Sequence, residues 1–357
     1  MAKRSTGTKT IEEAGKVVIG IDLGDTWSSV CVLDGQSEVV QEVRVRTREM
    51  ELRRTFSGVP ASLVVLEACG LSPWISRMLE DLGHEALVVN PYRVKVIAES
   101  INKSDRRDAK LLAELGLLAP KMLVRVQHRS EQEQADLAII RARELIVRQR
   151  TATILHVRGT LKAYGKTLEG VTVERFAELV RPQVPEELES VIGPMLDLVN
   201  LQTKQIRGYD REVVKLIATR YPEVNVLLQV PGVGNLTALT YRLTLGDANR
   251  FRSSRQVGAY LGLTPGQRQS GRSDPELRIT KAGDKLLRRL LVQCAQYILS
   301  HPTAEGALRD WGLKKAEGGK RARQRAVVAV ARKLAVLLHR LWTTGMVYER
   351  WPGKEAA

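Results

Sequence analysis

Val17–Gly35, VVIGIDLGDTWSSVCVLDG, is an apolar run ending in one aspartate, then a glycine-containing turn, then a second apolar run. Asp22 therefore ends what reads as a buried strand, where a charge needs a partner or a ligand. Working outward, Val17 to Leu23, Ser28 to Leu33 and Glu38 to Val45 are β-branched runs separated by Gly-containing or polar turns, the pattern of three strands in a meander. Ser62 to Leu66 reads as a buried strand, Trp74 to Leu82 as a helix ended by Gly83, Ala86 to Val89 as a strand closed by Asn90-Pro91, and Asp105 to Leu117 as a helix. Antiparallel strands followed by βα units predict an α/β layer fold for this part of the chain.

The carboxylates can then be collected. Asp22 ends the first strand, Glu67 ends ASLVVLE, and Asp105 and Asp108 share one face of a helix's first turn behind Ser104 as N-cap. Strand ends of an α/β sheet gather at one edge, where sites form. Acids converging there repel one another unless cations neutralise them, and an all-oxygen shell suits Mg2+ or Mn2+, ions that serve phosphodiester chemistry. Taken singly, each acid has a plainer reading: Asp105 and Asp108 as dipole-favoured helix charges, Asp22 as a turn residue, Glu67 as a strand-end charge. Their order and context together favour the metal site. Cys31, Cys69 and Cys294 and the five histidines are scattered, so metal chemistry must rest on carboxylates.

At 357 residues the chain has room for two or three domains, and 43% hydrophobic with 27% charged residues is ordinary for a globular protein. No run approaches the roughly 18 apolar residues of a membrane span, and MAKRSTGTKTIEEAGK lacks a signal-peptide core. A cytoplasmic, nucleoid-associated protein is expected, with no membrane partner. The formal net charge is +16, and residues 221–357 hold 23 Lys and Arg against 10 Asp and Glu. An excess placed in one third of the chain points to nucleic acid.

The middle of the chain reads as helical. Ser130 and Glu133 make a capping box before a helix that runs to about Tyr164 and is ended by Gly165. Leu188, Ile192, Met195, Val199, Gln202, Ile206, Tyr209, Val213 and Leu216 form a heptad seam, packed within the chain or against a second copy. Gly193-Pro194 predicts that the continuous helix starts near Pro194. In the basic third, Pro231-Gly232-Val233-Gly234 between apolar segments has the pattern of a helix-hairpin-helix, with the N–H groups near Gly232 and Gly234 open to a phosphate; the same turn can be purely structural. Gln267 to Asp274 reads as a polar loop placing Ser270 between Arg268 and Arg272, ahead of a basic helix from Lys285.

Two resemblances follow. GIDLGDTWSSVCVLDG resembles the first phosphate loop of the actin and heat-shock chaperone ATPases, whose fold is related to the ribonuclease H-like fold. The second D-x-G loop and Gly-rich adenosine motif of those ATPases are missing, and their activity would leave the basic third unexplained. The wider series, GID at Asp22, LEACG at Glu67, VVNP before Asp105 and Asp108, then QVPGVG, AYLGLTP, QSG, ITKAGDKLLRRLL and ARKLAVLLHRLW, closely resembles the DEDD transposases of bridge-RNA-guided insertion sequences from Asp22 to about Gly345. The family's aromatic residue soon after E-A-x-G is replaced here by Leu71, Ser72 and Pro73, with Trp74 the nearest ring.

That resemblance implies an α/β plus α chain: a RuvC-like, ribonuclease H-like domain over residues 1–125, a helical coiled-coil linker over 126–220 and a mainly helical basic transposase domain over 221–357. It implies that Asp22, Glu67, Asp105 and Asp108 bind Mg2+ (or Mn2+) and that Ser270 is the nucleophile. A guide (bridge) RNA would select donor and target double-stranded DNA by base pairing, and the protein would work as a homo-oligomer, a dimer or tetramer. Gly232, Gly234, Arg268, Arg272, Lys281, Lys320, Arg321, Arg323 and Arg325 are the expected nucleic-acid contacts. The competing expectations are a metal-dependent Holliday-junction-type nuclease using the tetrad alone, and a non-catalytic nucleic-acid-binding protein.

Overall fold

The computed structural model describes residues 17–91, 94, 104–270 and 273–351, and the chain divides into two compact units, 1–129 and 130–357. In the first unit β1 (Val18–Asp22), β2 (Trp27–Leu33) and β3 (Val39–Arg46) form the antiparallel meander that the opening stretch predicts. Asp34 Oδ1 closes the second turn by accepting from the N–H groups of Gln36 and Glu38 at 2.9 and 3.0 Å. The connection that follows holds α1 (Glu49–Ser57), whose buried residues are Leu52 and Phe56. No helix is predicted there, because two apolar residues one turn apart in a charged segment make too short a stripe for periodicity to reveal. β4 (Leu63–Glu67), α2 (Ser72–Asp81) and β5 (Glu85–Val89) complete a five-stranded sheet of order β3-β2-β1-β4-β5, with β4 and β5 parallel to β1. This arrangement is consistent with the ribonuclease H-like layout expected above.

Alternation sorts the strand residues between two faces. Ile19, Ile21, Val64 and Leu66 share a core with Leu52, Phe56, Ile75 and Leu79 of α1 and α2. Val18, Val65 and Leu87 face the other way, against Leu112 and Leu115 of α3 (Asp105–Leu118). Gly20 belongs to the α3 face, and a methyl there would stand 2.0 Å from the Ala109 carbonyl oxygen and 2.5 Å from the Ala113 nitrogen. Only glycine permits so close an approach of strand and helix. Further along α3, Gly116 lies against Val18 and Val65. The helix therefore runs antiparallel to β1, with its N-terminus toward Asp22.

The second unit opens with α4 (Glu131–Ala163), short α5 (Phe176–Val180) and α6 (Glu186–Thr219). Both atoms of the predicted capping box are in place, Ser130 and Glu133 bonding each other's backbone. Ile154, Val157 and Leu161 meet Leu188, Ile192 and Val199, whereas Leu137 and Ile140 share a core with Val213 and Leu216, so α4 and α6 are antiparallel. The heptad seam is thus filled within the chain. Its polar position, Gln202, is buried beside Thr203, whose hydroxyl accepts from Arg150 at 3.2 Å.

The predicted start near Pro194 is corrected: α6 runs unbroken through that proline. A mid-helix proline removes a backbone donor and crowds the preceding turn. Here Arg181 spans the weakened turn, donating to Glu189 and to the Gly193 carbonyl at 3.4 Å each and to Asp197. After α6 a 3-10 helix (Pro222–Gln229) precedes the P-G-x-G turn, followed by α7 (Asn235–Leu245), α8 (Arg255–Tyr260), α9 (Lys285–Ser300), α10 (Ala307–Ala316) and α11 (Lys320–Thr344). Their buried faces form one continuous core around Tyr241, whose hydroxyl donates to the Ala335 carbonyl at 2.7 Å. Among the described residues no helix is long and apolar enough to cross a membrane.

Candidate active site and nucleic-acid surface

β1 and β4 pair through Ile21 and Leu66, so Asp22 and Glu67, one residue further on, end neighbouring strands, which in sheets lie about 4.8 Å apart. Both continue the α3-facing rows of Gly20 and Val65, and both are half-buried. Asp105, exposed, and Asp108, half-buried, occupy the first turn of α3, which is directed to the same edge. Ser104 caps that turn by accepting from the Arg107 N–H at 3.4 Å. The fold thus brings the four predicted carboxylates to one face and one edge. Their side chains do not close on one another: among the described residues no group of three His, Cys, Asp or Glu could hold a metal ion. The donors are nevertheless all carboxylate oxygens, borne on two strand ends and a helix start, a set that fits a hard divalent cation.

Sequence reasoning missed a second feature of this edge. Trp27 pairs with Arg46 across β2 and β3, and the guanidinium carbons of Arg44 and Arg46 lie 5.3 and 5.2 Å from its ring. The ring is 37% exposed and follows the α3-facing row of Cys31 and Leu33. An exposed indole bracketed by two guanidiniums suits a base and its flanking phosphates. The available signal was R-V-R opposite G-D-T-W, legible only once the strand register is known. In the same β3 row Glu42 pairs with Arg106, tying the start of α3 to the sheet.

Beyond Glu67 the Ser72 hydroxyl closes a turn, accepting from the Cys69 N–H at 3.0 Å and donating to the Cys69 carbonyl at 2.9 Å, with His128 Nε2 3.0 Å away. Burial, then Arg77 and Arg129, lower the His128 pKa and favour its neutral form. Trp74 packs against the sheet core.

In the second unit the predicted polar loop is the end of a narrow hairpin. Thr280 N–H donates to the Thr264 carbonyl at 3.0 Å, Gly266 N–H to that of Arg278 at 2.9 Å, and Ser270 and Ser273 exchange backbone bonds of 3.0 and 2.9 Å. Ser270 and Arg268 are exposed, while Gly271 and Arg272 lie outside the described residues. At the hairpin's base Lys281 holds a φ of 56°, sparsely populated by non-glycine residues, and donates its N–H to the Gly262 carbonyl at 3.1 Å. The AYLGLTP and ITKAGDK motifs therefore meet backbone to backbone. Asp284 then caps α9, accepting from the Leu287 N–H at 2.8 Å.

Gly232 has a φ of 84° and lies against Tyr297; exposed Gly234 is the cap position of α7, which has no side-chain cap. Lys320, Arg321, Arg323 and Arg325 are exposed in the first two turns of α11, with no acid in the first turn. Cations in a helix's first turn, as Lys320 and Arg321 are, oppose the helix dipole. The placement of these two does not serve the helix and suits an external anion.

Residues 19–166 match the family DEDD_Tnp_IS110, described as "Transposase", and residues 224–308 match the "Transposase IS116/IS110/IS902 family". The first match spans the acid edge, and the second spans the P-G-x-G turn and the serine hairpin. The chain is 30% identical over 337 residues to the transposase for insertion sequence element IS1111A of Coxiella burnetii, covering 93% of this chain and 91% of that protein. It is 30% identical over 347 residues to the transposase for insertion sequence element IS1328 of Yersinia enterocolitica, covering 93% and 98%. A pilin gene-inverting protein of Moraxella lacunata is 24% identical over 268 residues, 71% of each chain.

Proposed function

Because the chain belongs to the IS110 family of DEDD transposases, we propose that it is an RNA-guided DNA recombinase. It cuts and rejoins donor and target DNA through Ser270, while Asp22, Glu67, Asp105 and Asp108 hold Mg2+ or Mn2+. The observation that carries this reading is the gathering of the four carboxylates at one sheet edge by the Gly20 and Gly116 contacts with α3. A DEDD-type domain implies divalent-metal use in general. RNA guidance is supported by the motif series and by the cationic C-terminal third, which suits a second polyanion beside DNA.

In this mechanism the Ser270 Oγ bonds to phosphorus as one phosphorus–oxygen bond of the DNA strand breaks; the hydroxyl proton is released and the departing oxygen takes one up. The phosphoserine conserves the bond for attack by a second strand's hydroxyl, so exchange needs no outside energy source. Asp22, Glu67, Asp105 and Asp108 would hold the divalent cation, which when bound would supply charge neutralisation for the phosphate and the departing oxygen. Arg268 and Arg272 hold the non-bridging oxygens, and Trp27 with Arg44 and Arg46 steadies the strand at the acid edge. Residues 1–125, 126–220 and 221–357 act as catalytic, spacing and DNA-joining segments of a homo-oligomer, a dimer or tetramer. The nuclease alternative fits less well, since the Moraxella relative is named for gene inversion, which requires cut ends to be rejoined.

The test is recombination between donor and target plasmids by the purified complex, with its co-purifying RNA sequenced. Junction formation should need both the RNA and a divalent ion, and should move to a new target when the RNA's pairing segment is changed. Undiminished junctions after complete RNA removal would reject guidance.

A further inference from the structure

Between the return arm of the serine hairpin, α10 and α11 lies a cleft of about 1680 Å³, larger than the roughly 300–1,000 Å³ of small-molecule sites. Ten Lys or Arg and two Glu line it, over an apolar floor that includes Leu263, Leu277, Ile279, Leu308, Val328 and Leu337. On α11, Arg321, Arg325, Arg332 and Arg340 recur on the outward face while Val330, Leu334 and Leu338 are buried behind them. That cationic row extends over about 29 Å of helix. We infer that the cleft binds an unpaired strand of nucleic acid, bases inward and phosphates along the α11 row.

A duplex offers phosphates outward and keeps its bases stacked, so it would engage the cations and leave the apolar floor wet. An unpaired strand satisfies both surfaces. Trp311, half-buried in the cleft wall, supplies a ring, with the Lys333 Nζ 3.9 Å from its centroid. A base taking that face moves the ammonium to a phosphate. Glu276, on the return arm of the hairpin, accepts from Arg325 at 2.9 Å, with side chains 84% and 70% exposed. Exposed pairs of this kind are weak, so a phosphate can replace Glu276 at Arg325. The strand in the cleft would then contact the return arm, which pairs through Ser273 with Ser270. This deepens the recombinase reading and rests on it for its two sources of unpaired strand, the guide RNA and DNA opened by pairing with it.

The experiment uses the full chain, stripped of co-purified nucleic acid, with labelled short single-stranded RNA, single-stranded DNA and a duplex of the same sequence. Trp311→Ala should weaken single-strand binding about tenfold, as expected for lost base stacking, and change duplex binding less than about twofold. Trp311→Phe should keep most of the affinity. Glu276→Gln should raise it, a gain that misfolding cannot mimic. Tighter RNA binding identifies the guide as occupant, and tighter DNA binding identifies the opened target; both support the cleft. Equal losses for single strand and duplex, or no loss with Trp311→Ala, overturn it. Covalent capture of DNA by Ser270, measured on the same variants with the co-purifying RNA and a divalent ion restored, keeps the failures apart: intact capture without a strand effect rejects the cleft alone, and absent capture with a strand effect rejects the recombinase alone.

Discussion

Asp105 is exposed in the first turn of α3, and its interaction with the helix dipole contributes only about 0.3–1 kcal/mol to folding. Asp105→Ala should therefore leave the melting temperature within a few degrees of wild type while abolishing DNA cleavage, checked by calorimetry and a nicking assay on one preparation. A variant that cleaves normally would remove this acid from the reaction. Ser273 makes the second residue test. Its bonds to Ser270 are backbone to backbone, so Ser273→Ala keeps the turn and should retain most activity. Ser273→Pro deletes the N–H donor and should lose activity through a deformed tip. Failure of both variants alike would show that the Ser273 hydroxyl is itself required.

At the scale of elements, the placement of α3 over Gly20 is the contact on which the acid edge depends. Gly20→Val would drive a side chain into the Ala109 carbonyl. Overpacking of this kind costs about 1–3 kcal/mol or more, so a lower melting temperature together with lost cleavage is expected. Full activity in a variant as stable as wild type would mean that α3 does not position its acids. Arg181→Ala should likewise lower stability by releasing the turn around Pro194. Strands β1 to β5 were legible because β-branched runs and turn residues carry period and punctuation, and Asp22, Glu67, Asp105 and Asp108 were legible because they sit at ends of such elements. Helix α1 was hidden by its two-residue apolar stripe. The passage of α6 through Pro194 is accompanied by bonds from Arg181, which lies outside the helix and is invisible to local pattern. Trp27, Arg44 and Arg46 become a group only through the β2–β3 register, and the serine hairpin only through backbone bonds that leave no mark on residue type.

At the level of the whole molecule, the charge excess of residues 221–357 is expected to dominate nucleic-acid affinity. Affinity for duplex DNA should fall steeply with salt, and neutralising Lys320, Arg321, Arg323 and Arg325 together should reduce the log–log slope by roughly 3–4 without changing target choice. An unchanged slope would assign that cluster to something other than phosphates. Covalent joining of Ser270 to DNA is read by denaturing electrophoresis of the reaction with labelled DNA, followed by peptide mapping. Label is expected on the peptide containing Gln269, Ser270 and Gly271 in the wild type, with neither label nor cleavage in Ser270→Ala. Cleavage by Ser270→Ala, with no protein-linked DNA in the wild type, would make water the nucleophile and contradict that joining.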